Sequence, residues 1–559
     1  MSVPDRSSCP PCRLIMALAG TTAVLLATIS PGGSDSASAQ ELGPLTRVST
    51  GKSSFTSCTA DKPAQQQGQL FRNTEIEPFV AADPSHPSNL LVGYQQDRWS
   101  NGGARGDVAG VSLDGGGSWR TVTLPGVARC SDGEFLRASD PWVDFSRSGV
   151  AYFMSLAFEA DLTTRTGEFA GYGRNGMLVS RSTNGGLSWS APVTLTEISN
   201  RHFLNDKNSL TADPNDADLA YAVWDRLVVF QLPPPAGFPS GGGPVGARAR
   251  AKWLKDAQAA KAAAQERQPT QIVFAGPTRF TRTTNGGRSW ERPRVIVNPG
   301  PNAQTINNII VVQPNGTLIN FFTHIYANGA SQIELLRSFD KGRSFERRPT
   351  AIDLTFGFGT ITPDAQERVR DAGILFDVAV DPDSGALYLV WQDLRFRGVD
   401  EVAFAMSTDG GSNWSEPIRV NQTPANANRF RQQAFIPAIE VGPDGRLVVT
   451  HYDFRNDQGE GERTDYWAVF CDPRADDCRR ASSWGDERRL TERSFNMLDA
   501  PVAGGRFLGD YMGLERAGGA VHPVFGIATD RNRTDLFTRR ITFGAAGSTA
   551  RTVTEAARE

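Results

Sequence analysis

Short apolar runs recur in pairs along this chain, each pair joined by a turn of Pro, Asp, Asn or Gly. Phe79 to Ala82 leads through Asp83-Pro84 into Leu90 to Tyr94. The pattern returns from Trp142 to Phe158 around Ser148-Gly149, and from Leu210 to Trp224 around Asp213-Pro214. It continues from Ile309 to Phe322 around Pro314-Asn315-Gly316, and from Val378 to Trp391 around Asp381-Pro382. The last two copies run from Ile439 to Tyr452 around Pro443-Asp444-Gly445 and from Tyr511 to Ile527 through Gly518-Gly519. Runs of this length bounded by such turns predict antiparallel hairpins, and their regular recurrence predicts a modular all-β fold.

A second repeat lies between the hairpins: Ser or Thr, any residue, Asp or Asn, any residue, Gly, two further residues, then an aromatic. It occurs at Ser112-Leu-Asp114-Gly-Gly116-Gly-Ser-Trp119, at Ser182 to Trp189, at Thr283 to Trp290, at Ser338 to Phe345 and at Ser407 to Trp414. Asp or Asn can take hydrogen bonds from amides further along a turn, and Gly accepts the positive φ that tight turns need. The closing aromatic can bury its ring beneath the turn.

These five copies resemble the Asp-box (BNR) repeat of the sialidase-like β-propellers, over roughly residues 70 to 543. The resemblance implies four-stranded antiparallel blades, with each box joining the third and fourth strands on the side away from the active site. Seven hairpins favour seven blades. Six is the alternative, because catalytic sialidases have six and a terminal pair can be shared across the ring closure.

The same resemblance implies where chemistry would sit. Five acid–base pairs follow the second strands: Asp97-Arg98, Asp225-Arg226, Asp393-Leu-Arg395, Asp453-Phe-Arg455 and Asp530-Arg531. They either pair among themselves or clamp an anionic ligand. Glu77, Asp140, Asp206-Lys207, Arg431-Gln-Gln433 and Asp510-Tyr511 lead into innermost strands and would face the central channel mouth. A sialidase uses three arginines on the substrate carboxylate, a Tyr nucleophile assisted by Glu, and an Asp acid/base. Tyr replaces a carboxylate nucleophile because a second negative charge beside the substrate's own would repel it. Carried over, the roles fall to Tyr511 as nucleophile, Glu77 as its helper and Asp107, in the loop after the first blade's second strand, as acid. Arg72, Arg98, Arg431 and Arg455 are the candidate clamps. The family's Arg-Ile-Pro is here Ile76-Glu77-Pro78, with Phe71-Arg72 four residues earlier, and Phe435-Ile436-Pro437 is a related triplet without the arginine. The implied activity is a retaining exo-α-sialidase-type glycoside hydrolase without cofactor, acting on terminal sialosides. The alternative is a non-catalytic propeller that binds glycan or protein, and whether the chain is an enzyme stays open.

Composition narrows the partners. The 58 Lys and Arg against 61 Asp and Glu leave a net charge of −3, which disfavours a nucleic-acid partner. Arg6 and Arg13 precede an apolar run from Leu14 to Ile29, and Ala37-Ser38-Ala39 reads as a cleavage site before Gln40, the alternative being an uncleaved N-terminal anchor. The expected organisation is a signal peptide at 1–39, an N-terminal extension at 40–65, one propeller domain at 66–545 and a flexible tail at 546–559. Within the domain, an insertion at 231–270 carries Pro233 to Pro235, Gly241 to Gly243 and an Ala-rich stretch from Ala247 to Arg267 that reads as a surface helix. The mature protein is expected to be secreted, monomeric and off the membrane, with a carbohydrate or glycoconjugate ligand. Cys9 and Cys12 leave with the leader. The other four cysteines allow three connectivities, and the short polar turn between Cys471 and Cys478 favours their pairing, leaving Cys58 with Cys130. The five histidines are scattered, and no metal set is expected.

Overall fold

Each apolar pair becomes the first two strands of a four-strand antiparallel meander, denoted sheets I to VII in chain order. The computed structural model describes residues 40–160, 162–163, 169–229, 274–346, 350–354, 359–459 and 461–544. The leader, the 231–270 insertion and the 546–559 tail lie outside the described residues. Sheet I is Glu75–Ala82, Leu90–Arg98, Ala104–Ser112 and Arg120–Thr123. Sheet II is Arg137–Phe145, Ala151–Phe158, Asn175–Ser182 and Val193–Ile198, and the single pair Ala104 and Ala138 joins it to sheet I. Sheet III is Phe203–Ala212, Ala220–Val229, Thr278–Thr283 and Arg294–Val297, with Phe274–Ala275 beside its second strand. Sheet IV is Gln304–Val312, Leu318–Ile325, Ser331–Ser338 and Thr350–Asp353. Sheet V is Phe376–Val380, Leu387–Asp393, Glu401–Ser407 and Ile418–Arg419. Sheet VI is Ala434–Val441, Leu447–Asp453, Arg463–Cys471 and Gly485–Arg489.

Sheet VII joins the two ends of the described residues. Gly513–Ala517, Ala520–Asp530 and Arg533–Phe543 are completed by Gln40–Arg47, which pairs antiparallel with Arg533–Phe543. The segment read from sequence as an extension therefore begins with a sheet strand. Its remainder is pinned by two buried arginines. Arg105 donates to Asp61 and to the carbonyls of Phe55 and Cys58. Arg137 donates to Gln66, Asn101 and the carbonyls of Gly102 and Gln67. The Cys58–Cys130 disulfide ties the same segment to the loop before sheet II, and Cys471–Cys478 closes a turn in sheet VI.

Apolar residues on both faces bury the middle strands completely, as in Leu90–Arg98 and Ala104–Ser112, whereas the fourth strand Arg120–Thr123 is half-exposed. Neighbouring sheets pack face to face around large side chains such as Trp224, Phe321 and Trp391. The first strands of successive sheets neighbour one another, and that of sheet VII neighbours that of sheet I. Side chains stitch them together: Asp144 accepts from the Ala212 amide at 2.8 Å, Ser209 donates to the Asn308 carbonyl at 2.7 Å, and Asn307 donates to the Phe376 carbonyl at 2.9 Å.

Each eight-residue repeat is the turn between the third and fourth strands of sheets I to V. In the first, Asp114 accepts from the Ser112 hydroxyl, the Ser118 amide and the Ser118 hydroxyl, while Trp119 Nε1 donates to the Gly116 carbonyl. Asn184 and Asn285 accept the equivalent amide bonds in the second and third. The last repeat glycine is obligatory: Gly287 has φ +78°, and a Cβ there would meet the Tyr152 ring at 2.6 Å.

Candidate functional site

The lead-ins to the first strands share one distortion. The register slips between Ile76 and Phe79, Ser139 and Trp142, Asp206 and Ser209, Ile306 and Ile309, and Phe435 and Ala438. At each slip one residue takes a left-handed backbone: Glu77 at φ +53°, Asp140 at +50°, Lys207 at +45°, Asn307 at +60° and Ile436 at +51°. A non-glycine residue there costs on the order of 1 kcal/mol or more, and a β-branched one such as Ile436 costs most. Bulges of this kind re-aim side chains. Here they bring Glu77, Asp140 and Lys207 together with Asp510 from the lead-in to sheet VII.

Lys207 is the hub. Its ammonium lies 2.5 Å from Asp510, 3.4 Å from Asp140 and 3.9 Å from Glu77. Arg370 grips Asp510 from the other side with two parallel bonds, Nε to Oδ1 at 2.9 Å and Nη2 to Oδ2 at 2.5 Å. Arg370 is carried by the short pair Val369–Arg370 with Arg506–Phe507, the parallel pairing among these strands. Arg98 is fully buried, donates to Gln95 Oε1 at 2.7 Å and shares the face of Phe507 with Arg370. The Gln95 amide in turn donates to Glu77 Oε2 and to Ser139 Oγ, and the Asp510 amide donates to Glu77 Oε1 at 3.3 Å. Tyr511 closes the group. Its hydroxyl donates to the Pro141 carbonyl at 3.1 Å, and its ring packs edge-on against Trp142 and Phe79.

This crowding separates the protonation states. Burial pushes Glu77 up to about 8, against the pull of Lys207. Burial acts the same way on Asp510, but Arg370 and then Lys207 overcome it and hold that carboxyl far below the usual range. Burial, followed by the charge of Arg370, lowers Arg98 to about 10. Tyr511 is driven well above the ordinary phenol by burial and then by Glu77, Asp140, Asp107 and Asp510. A cavity of about 30 Å³ lies beneath the group, between Phe79, Trp142, Asn307, Ile436, Asp510 and Tyr511. That space suits a water molecule, whereas ligand pockets run to about 300 Å³ and more. Further along the same first strands a cavity of about 370 Å³ carries Asp144, Asp377, Glu440 and Glu515 on its wall.

Of the residues singled out from sequence, Glu77, Arg98, Asp107, Asp140, Lys207, Asp510 and Tyr511 fall together. Asp107 does so from an unexpected position: it lies within the third strand of sheet I, opposite Gln95, and not in the preceding loop. The Gly102-Gly103 turn is tight enough that the strand has already begun at Ala104. Asp107 is fully buried, and burial raises it well above the ordinary carboxylate against the pull of the Ser155 hydroxyl. The other clamp candidates are elsewhere. Arg72 is exposed in the turn before sheet I. Arg431 is held by Asp457 and Asp364, and Arg455 by Asp453 and Glu487. Arg395 pairs with Asp393 at 2.8 Å, so at these positions the repeated acid–base pairs neutralise themselves locally. Asp364, Asp457 and Glu462 converge closely enough to suit a cation, but Arg431 already bonds two of them. Sequence reasoning missed Arg370, which follows no repeat and meets Asp510 from 140 residues away.

No protein-family model matches the chain, and no curated protein matches it. Among solved structures, a Hadza microbial sialidase is similar at 13% identity, with 92% of this chain and 91% of that one covered and a TM-score of 0.42. A mutant of the NanB sialidase from Streptococcus pneumoniae aligns at 9% identity over 90% of this chain and 99% of its own, with a TM-score of 0.39. An α-L-arabinanase from Penicillium chrysogenum aligns at 10% identity over 73% of this chain and 94% of its own, with a TM-score of 0.38.

Proposed function

We propose that this chain is a secreted, seven-bladed, sialidase-like β-propeller that acts on glycans as a glycoside hydrolase at the mouth where its first strands converge. The cyclic neighbouring of those strands supports the propeller, with the Gln40–Arg47 strand completing the seventh blade. The two disulfides support export into an oxidising compartment.

One observation carries the activity: a phenol, a carboxyl raised to about 8 and a permanently ionised carboxylate share one mouth, on Tyr511, Glu77 and Asp510. Paired groups pushed to opposite protonation states are what acid–base chemistry requires. Once ionised, as pH approaches 8, Glu77 can accept the phenol's proton as Tyr511 attacks an anomeric carbon. It gives that proton back to the Tyr511 oxygen when water displaces the phenol, the water's own proton passing to the carboxylate that protonated the leaving group. Arg370 and Lys207 offer positive charge beside it, and Asp107 or Asp140 a second carboxyl for the leaving group. Exo-α-sialidase-type cleavage is the form that the sequence resemblance implies. Its three-arginine clamp is the least supported part, because Arg72, Arg431 and Arg455 stand apart from Arg98.

The second reading is a non-catalytic glycan- or protein-binding propeller. It is favoured by the small cavity and by cations that already hold protein carboxylates. A panel of fluorogenic glycosides that includes a sialoside separates the two, with Tyr511→Phe and Glu77→Gln as controls. Turnover lost in both variants supports the hydrolase. Turnover that survives both discards this mouth, and glycan binding without turnover selects the second reading.

A further inference from the structure

The strongest ion pairs at the mouth join it to itself. Arg370 presents the two-pronged geometry with which guanidinium recognises a carboxylate, and Lys207 adds a third bond to the same group. The carboxylate they hold is Asp510, whose side chain is 2% exposed beneath an Arg370 that is 32% exposed. Asp510 also lines the 30 Å³ cavity, so its side chain occupies space in which a small ligand group would otherwise sit. We propose that Asp510 is a specificity-determining residue: it fills the anion site built by Arg370 and Lys207, so the mouth refuses carboxylate-bearing ligands and takes uncharged glycans.

The physical case has two parts. A carboxylate on the protein's own backbone competes at an effective concentration far above that of a free anion, so a free carboxylate at millimolar concentration does not displace it. The surroundings of Lys207 are also unfavourable to an anion, since Asp140 stands 3.4 Å from its ammonium on another side. Arg98 offers no substitute clamp, being fully buried with Nη1 on Gln95 and its Nε sealed from solvent without a partner.

This selection rests on the mouth being the glycan site, whereas the anion site itself can be measured without any turnover. The experiment is calorimetric titration of the full chain and of Asp510→Ala and Asp510→Asn with N-acetylneuraminate and with methyl galactoside. Circular dichroism and thermal melts confirm that each variant is folded. Both variants are expected to bind N-acetylneuraminate at least tenfold more tightly than the unaltered protein, with affinity that falls as salt rises. Adding Arg370→Met to Asp510→Ala is expected to abolish the gain. Unaltered protein that binds N-acetylneuraminate as well as the variants overturns the proposal, as do two folded variants that gain no anion binding. A gain in binding with no glycoside hydrolysed by any form keeps the anion site and removes the hydrolase reading.

Discussion

Glu77 allows the proton assignment at the mouth to be tested by stability alone. Its carboxyl is raised from 4.5 to about 8, so between those values the unfolded chain is ionised at this position while the folded chain keeps its proton. The stabilisation from this group is fully present below the unfolded value and is lost as pH rises to about 8. The slope is about 1.4 kcal/mol per pH unit, which amounts to about 5 kcal/mol over the window. At 1% exposure, solvent screening does little to reduce this. Glu77→Gln keeps the side-chain length and the left-handed backbone but cannot titrate, so any packing cost adds only a constant. Urea unfolding of both proteins from pH 5 to 9 gives the difference directly. The wild type is expected to lose stability relative to Glu77→Gln up to about pH 8 and then to level off. A difference that stays constant across this range refutes the reasoning. It would mean that Lys207, Gln95 and the Asp510 amide keep Glu77 ionised throughout, and that no raised carboxyl stands beside Tyr511.

Three further outcomes follow from the packing. Arg105→Met strands the fully buried Asp61 carboxylate and two carbonyls, and is expected to cost about 3–5 kcal/mol in denaturant unfolding; a cost below about 1 kcal/mol would count against the clamp. Replacing Cys58 and Cys130 by Ser opens a loop of 72 residues and replacing Cys471 and Cys478 one of 7, so chain entropy predicts losses of about 4.4 and about 2.4 kcal/mol in unfolding titrations. Asp114→Ala should cost about 1–2 kcal/mol by thermal melting at pH 7, whereas Asp114→Asn should be close to neutral, because Asn184 and Asn285 make the same turn bonds in the neighbouring repeats.

The features legible in the sequence are those that neighbours in sequence determine. Hairpins are local, so apolar pairs and Pro/Gly turns located the first two strands of each sheet. The eight-residue repeats are local too, and each became a turn held by its own Ser, Asp or Asn. The same locality misled the search for clamps. Asp453 and Arg455 recur two residues apart because they satisfy each other, and such a pair carries no information about a ligand. The mouth instead depends on convergence between distant segments. Arg370 sits in a stretch without strand pattern, and its bond to Asp510 depends on a two-residue parallel bridge that no periodicity announces. Lys207 was visible as a lead-in residue, but its role as hub is set by a backbone twist at one bulge.

The pairing of Gln40–Arg47 with Arg533–Phe543 also has a consequence for biogenesis. Thr542 donates to the Glu41 carbonyl across 501 residues of sequence, so the first strand of the described residues pairs with their last. Contacts of such separation form late and slowly, and until they do the third strand of sheet VII keeps a bare hydrogen-bonding edge. Residues 40–47 must therefore stay unpaired until residues 533–543 have been made. During that interval the nascent protein, more than the finished one, is the form exposed to aggregation and proteolysis.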